Sequence, residues 1–250
     1  MPKHKLERIV IAGATSGIAR EVGRLLASRG ARLFLVARDP AKLDAVAADL
    51  RARGAEGVHT AVADLASTTS HEQWWPEALA ALGEPDGVLV AHGILGDAER
   101  ARRDASHTTE ILTTNFLSVA AMLAPISTWF EQRRSGVIAV IGSVAGDRGR
   151  QSNYVYGASK GGLDIFLQGL RNRLFHAGVD VVTIKPGFVD TPMTAHLPKT
   201  PLFASAESVA SGIVGAMEAG RDVVYLPFIW RWILLVLKMI PEAVFKRLKT

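Results

Sequence analysis

The chain has no cysteine, which excludes disulfides, thiol nucleophiles and thiolate metal sites together and fits a reducing compartment. Its seven histidines (positions 4, 59, 71, 92, 107, 176 and 196) show no close metal-ligand spacing, so no metal site is expected. It also lacks any uninterrupted apolar run of about 18 residues, the minimum for an ordinary transmembrane helix. The opening MPKHKLERIVIAGA has no signal-peptide core, because the apolar run at residues 9–14 is short and leads straight into a glycine-rich turn. Nor is there a basic stripe interleaved with stacking aromatics, so nucleic acid is not an expected partner.

What is present is an ordinary globular composition, 48% hydrophobic and 21% charged over 250 residues, enough for a substantial core. The net charge of +5 is unevenly placed: residues 228–250 carry five cations (Arg231, Lys238, Lys246, Arg247, Lys249) against Glu242, while residues 1–227 are nearly balanced. Seven short β-branched runs, RIVIAG, ARLFLVAR, GVHTAVAD, DGVLVAHG, SGVIAVIGS, VDVVTIKP and DVVYLP, are apolar almost throughout, as strands buried on both faces of a parallel sheet must be. Helical patterns fall between them at about 17–29, 40–53, 70–82, 106–132, 153–177 and 207–219, with Asp39 before Pro40 marking one start. The alternation predicts an α/β fold, a doubly wound Rossmann-type sheet of seven mostly parallel strands with helices on both faces. Residues 1–227 read as the catalytic, nucleotide-binding part and 228–250 as a helical extension of the same domain.

Strand one ends in AGATSGIAR, with Gly13, Gly17 and Ala19 as G-x-x-x-G-x-A between a strand and a helix. Gly13 permits the tight turn, Gly17 lets backbone approach a pyrophosphate, and the helix N-terminus offers amide donors. Thr15, Ser16 and Ile18 share that turn and are candidate cofactor contacts. After strand two comes LVARD, where Ala37 stands at the strand end in place of the acidic residue that would favour NAD, followed by Arg38, which is suited to a 2′-phosphate. NADP(H) is therefore preferred, NAD(H) remaining possible; the alternative for Arg38 is a solvated loop residue paired with Asp39.

YGASK places Tyr156 and Lys160 four apart, on one helical face. An ammonium near the phenol is expected to lower a pKa near 10 by about two to three units, suiting proton exchange with a carbonyl oxygen. Tyr154 is six residues from Lys160 and off that face. VIGSVAG sets Ser143 just past strand five, at the carboxyl edge where such sheets bind ligands. Asn115, in the apolar stretch ILTTNFLSVAAM, needs a partner if buried.

These residues, with Asp64 and Leu65 after strand three and the PG-x-V-x-T segment (Pro186, Gly187, Val189, Thr191), make the chain resemble the short-chain dehydrogenase/reductase family over essentially its whole length. The resemblance implies that Tyr156 is the general acid/base, Ser143 holds the substrate oxygen, Lys160 binds the nicotinamide ribose and tunes the tyrosine, and Asn115 serves the proton relay. It further implies that Asp64 contacts adenine and Thr191 the carboxamide, and that the protein forms dimers or tetramers. Two departures stand out. Ala19 replaces the third glycine, and the family's NNAG is VAHG (90–93), keeping Gly93 and putting His92 at a strand end, where a packed histidine competes with a catalytic one.

HGILGDAER, MTAHL and WILLVLKMIPEAVFKRL are similar to a subgroup, the decaprenylphosphoryl 2-keto-pentose reductases, which implies a lipid-linked keto sugar as substrate. In the tail, Pro227 and Pro241 bracket Phe228–Ile240, about 20 Å of helix and too short to span a bilayer. Trp230 and Trp232 suit interfacial anchors and the cations suit anionic head groups. The segment reads as an in-plane membrane element on an otherwise cytoplasmic protein, with a subunit contact or a lid over the core as the alternative. Arg148 and Arg150, between Ser143 and Tyr156, are candidate phosphate contacts or plain solvated charges. Residues 192–205, with Met193, read as a flap over the substrate. The expected activity is reduction of a carbonyl to a secondary alcohol; a soluble ketone or 3-oxoacyl reductase is the enzymatic alternative, and a non-catalytic NADP(H)-binding sensor or scaffold the other.

Overall fold

A computed structural model describes residues 2–195 and 198–248; His196, Leu197 and Lys249, part of the MTAHL and tail readings, lie outside the described residues. Seven strands form one sheet: β1 (Arg8–Ala12), β2 (Arg32–Ala37), β3 (Gly57–Val62), β4 (Gly87–Val90), β5 (Gly136–Ile141), β6 (Val179–Pro186) and β7 (Val223–Leu226). Their order is β3-β2-β1-β4-β5-β6-β7, and every pairing is parallel. The expected doubly wound architecture is the observed one.

The helices are α1 (Gly17–Ala27), α2 (Pro40–Ala52), α3 (His71–Leu82), the short α4 (Ala98–Ala101), α5 (Ala105–Leu112), α6 (Ser118–Arg133), α7 (Tyr154–Leu174), α8 (Ala206–Ala219), α9 (Ile229–Met239) and α10 (Glu242–Phe245). The strands were apolar without alternation because both faces are covered. In β2, Leu33 and Leu35 enter the core beneath α1, α2 and α8, while Phe34 and Val36 enter the core beneath α3, α6 and α7. Each such side chain contributes about 1.5–3 kcal/mol by leaving water. The stretch 105–133 is apolar enough by composition to cross a membrane, yet its α6 part turns Val119, Met122, Leu123, Ile126 and Phe130 onto the sheet. Between α5 and α6 the chain forms one π-helical turn, Thr113–Leu117, a feature sequence periodicity does not announce.

Topology locates the cleft. β1 and β4 are neighbours, with the preceding crossovers running one way and the later ones the other, so the loops beyond their carboxyl ends part and leave a crevice.

Candidate active site

That crevice is a cleft of about 1280 Å³. At one end lies the turn between β1 and α1. Gly13 has φ +89°, and a Cβ there would stand 2.5 Å from the His92 backbone nitrogen, so only glycine fits. A Cβ on Gly17 would stand 2.9 Å from Thr191 Cγ2, which ties the turn to the segment after β6. Ser16 is the N-cap of α1, its Oγ accepting from Ala19 N at 3.3 Å. Thr15 and Ile18 line the same wall. Arg38, Asp64 and Leu65 follow β2 and β3 along the cleft. Asp39 caps α2 and pairs with Lys42 at 3.3 Å, so the Arg38 guanidinium is left without an ion pair among the described residues.

The chemical end is built by β4, β5, α7 and the π turn. Asn115 is fully buried. Its Oδ1 accepts from Ile94 N at 2.8 Å, and its Nδ2 donates to Ile94 O at 2.8 Å and to Ser159 Oγ at 3.1 Å. The buried amide thus has the partners it required. The π turn supplies the offset that aims it at the loop after β4. Gly93 closes this corner: a Cβ there would come within 2.9 Å of Asn115 Oδ1 and 3.5 Å of Lys160 Nζ.

Lys160 is buried, and its Nζ donates to Ile141 O at 3.0 Å. Burial pulls its pKa down to about 8. Tyr156, on the same face of α7, departs from expectation: burial pushes its phenol above the ordinary value, and the Ser143 hydroxyl draws it partly back. The expected lowering by Lys160 is not seen. Its ammonium lies 6.0 Å from the tyrosine ring centroid and is turned toward the β5 carbonyl. Ser143 lies two residues beyond β5, its Oγ accepting from Ala145 N at 3.1 Å. Tyr154 is half exposed, though it too lines the cleft. His92 is partly buried and neutral, its pKa lowered to about 3 chiefly by desolvation of its ring and then by Lys160. It meets the Ser118 hydroxyl at 3.2 Å rather than backbone, and its Nδ1 is buried without a partner.

Pro186, Gly187, Val189 and Thr191 line the cleft after β6, where Thr191 adjoins the glycine turn, and Met193 continues this wall. Val189 bridges to Ala204, and Phe188 stacks on Phe203 at 5.3 Å, which holds Phe203 and Ala204 against this wall.

The two arginines read together as phosphate contacts go to different places. Arg150 lines the cleft. Arg148 turns to the tail, where it donates to Leu237 O and Lys238 O at 3.3 and 3.1 Å, pairs with Glu242 at 2.9 Å and lies 4.0 Å from the Phe245 ring centroid. The free carbonyls at the end of α9 attract it. Its placement corrects the expectation of a substrate contact.

The tail also reaches the cleft by a residue that sequence reasoning misassigned. Trp230, read as an interfacial anchor, is buried, lines the cleft and fills the space beside Gly187, where any Cβ would overlap its indole. Trp232, two positions on, is half exposed. The signal was present: Trp230, Ile233, Leu234 and Leu237 are spaced i, i+3, i+4, i+7, a stripe that packs with Val144. The opposite face of α9 (Ile229, Trp232, Leu235, Val236, Met239) is apolar and open to solvent.

The glycine turn that a Cβ would fill, the amides at the start of α1 and the cleft volume fit a dinucleotide together with a second, smaller molecule. Residues 7–201 match the family model described as short chain dehydrogenase. An uncharacterized oxidoreductase of Mycobacterium tuberculosis is 36% identical over 240 residues, covering 96% of each chain. The 3-oxoacyl-[acyl-carrier-protein] reductase of Escherichia coli is 30% identical over 212 residues, covering 85% of this chain and 82% of that one. The crystal structure of levodione reductase has a similar fold, with a TM-score of 0.80 at 23% identity, over 87% of this chain and 95% of that one.

Proposed function

Given that the chain belongs to the short-chain dehydrogenase family and is an oxidoreductase of that family, we propose that it is an NADP(H)-preferring carbonyl reductase whose substrate is a keto sugar carried on a polyprenyl phosphate. The observation that carries the catalytic part is the convergence of Ser143, Tyr156, Lys160 and the Asn115–Gly93 corner at the carboxyl edge of β4 and β5. Gly13, Thr15, Ser16, Gly17, Ile18, Arg38, Asp64, Leu65, Gly93, Pro186, Gly187, Val189 and Thr191 would hold the dinucleotide, whose nicotinamide supplies a hydride when bound. Ser143 donates to the substrate carbonyl oxygen and fixes it beside Tyr156. The Tyr156 hydroxyl, kept protonated by burial, gives its proton to that oxygen as it becomes an alkoxide. Lys160 holds positive charge behind the tyrosine, and the Asn115 amide orients the corner through which the proton is replaced.

NADP(H) preference rests on Arg38, free of Asp39 and suited to a 2′-phosphate. The lipid-linked substrate rests on the tail: α9 shows an apolar outer face, and Arg231, Lys238, Lys246 and Arg247 accompany it against Glu242, itself paired with Arg148. Such a helix suits in-plane seating on an anionic membrane surface. We read residues 228–250 as an extension of the 1–227 catalytic domain, because the inner stripe of α9 packs on the cleft wall.

The test is NADPH oxidation with a polyprenyl-phosphate keto sugar on anionic vesicles, against a soluble 3-oxoacyl thioester. Faster turnover of the lipid-linked substrate supports the proposal. Preference for the thioester moves the assignment to the alternative that the Escherichia coli relative suggests. No turnover of any carbonyl, with NADPH binding intact, points to a sensor.

A further inference from the structure

The charged side chains lining the cleft are accounted for by neighbours, with two exceptions. Lys160 donates to Ile141 O, and Asp64 accepts from Ala66 N at 3.0 Å. On the wall formed after β4, Glu99 pairs with Arg102 at 2.8 Å, Glu110 with His107 at 2.9 Å, and Asp97 caps α4 by accepting from Arg100 N at 3.0 Å. Only Arg38 and Arg150 line the cleft without a side-chain hydrogen bond or ion pair among the described residues. They stand after different strands: Arg38 follows β2, at the nucleotide end, and Arg150 follows β5, in the loop leading to Tyr156.

A guanidinium is costly to leave half-buried without an anion. For Arg150 that cost is visible, since burial alone lowers its pKa and no acid opposes the effect. The same loop holds a second orphan, the Asn153 Oδ1, buried without a partner. The loop is itself fixed on two sides, by Arg102 donating to Gln151 O at 2.8 Å and by Arg148 on α9. Arg150 is therefore presented by a held loop, and the acids that line the cleft after β4 are already engaged with other groups.

We infer that Arg150 is the anion-recognising residue of the substrate end, and that the substrate carries a phosphoryl group that pairs with it. The inference rests on the reductase reading above and narrows its substrate class. A guanidinium meets two phosphoryl oxygens with parallel N–H donors, which fixes direction as well as attraction. The group can belong to a lipid-linked phosphodiester or to a soluble phosphate ester.

Calorimetric titration of the NADP⁺-saturated full-length protein with geranyl phosphate, glycerol 1-phosphate and geraniol separates these cases without requiring turnover. In Arg150→Gln, geranyl phosphate affinity is expected to fall tenfold or more, with Arg150→Lys retaining part of it, while geraniol and NADP⁺ bind as to the unsubstituted protein. Geranyl phosphate bound much more tightly than glycerol 1-phosphate identifies a lipid-linked group; equal affinity identifies a soluble ester. Unchanged geranyl phosphate affinity in Arg150→Gln, or no affinity of the unsubstituted protein for either phosphate, overturns the inference. A failure of carbonyl turnover with this binding pattern intact would defeat the reductase reading instead.

Discussion

At the nucleotide end the cleft is mostly backbone from two local stretches, the turn between β1 and α1 and the strand end at Arg38. At the substrate end it is side chains gathered from β5, α7, the π turn and a C-terminal helix far away in sequence. The first kind of construction depends on a glycine that cannot be anything else, since Gly13 leaves no room for a Cβ beside His92. The second depends on groups that hold one another: Asn115 on Ile94, Lys160 on Ile141, Arg148 on α9. One end should therefore respond to single substitutions by changing cofactor choice, and the other by losing chemistry or stability.

The largest effect is expected at Tyr156. Tyr156→Phe removes the proposed proton donor and little volume, so turnover should fall by about 10²–10⁴-fold. NADPH affinity, measured by fluorescence titration, should change by less than about threefold if the two ends are as separate as they look. A parallel collapse of NADPH binding would show that the ends act as one unit.

Burying the Lys160 ammonium costs stability at neutral pH. Its pKa is about 8 in the fold, against about 10.4 in an unfolded chain. Below pH 8 both states hold the proton, and the folded one bears the full cost of burying it. Between pH 8 and 10.4 the unfolded chain binds more protons, so this group's contribution rises with pH and the penalty disappears. Lys160→Met should accordingly be inactive yet more stable at pH 7, by about 3 kcal/mol at most, with the gain shrinking above pH 8. Denaturant melts across pH 6.5–10.5 check both the sign and the window.

Legibility follows the same division. The glycine turn, all seven strands and the Tyr156–Lys160 pair were readable because each is local: a turn, a run of apolar residues, an i,i+4 spacing. The need of Asn115 for partners was readable, but not the π turn that lets it find them. Arg148 and Arg150, two residues apart in one polar loop, were indistinguishable on paper. Only the distant carbonyls at the end of α9 separate them. The direction of the Tyr156 shift failed for a related reason. Spacing put the ammonium on the right face, but the carbonyl of Ile141 decides where it points.

At the nucleotide end, Arg38→Ala should leave the fold unaltered and weaken NADPH by about tenfold to 100-fold, the worth of one charge-assisted contact. NADH should change little. The ratio of kcat/KM for the two cofactors measures this, and an equal loss for both would assign Arg38 a role other than 2′-phosphate recognition.

The smallest effect, and the one that bears most on the comparison, concerns Arg148. Its guanidinium caps the last carbonyls of α9, pairs with an exposed Glu242 and covers Phe245. Solvent screens the ion pair, so Arg148→Ala should cost only about 1–2 kcal/mol in denaturant melts. Yet the inner stripe of α9 places Trp230 against Gly187, and the loop that carries Arg148 also carries Arg150. Loosening α9 should therefore raise KM for an anionic substrate while leaving the KM for NADPH within about twofold, because additivity between distant groups fails only where they share a partner. Arg148→Lys should recover stability better than KM, since a lysine supplies the charge but not the fork that reaches the α9 carbonyls with one nitrogen and Glu242 with the other. Equal changes in both KM values would mean that the tail supports the whole cleft, and the division between its ends would no longer hold.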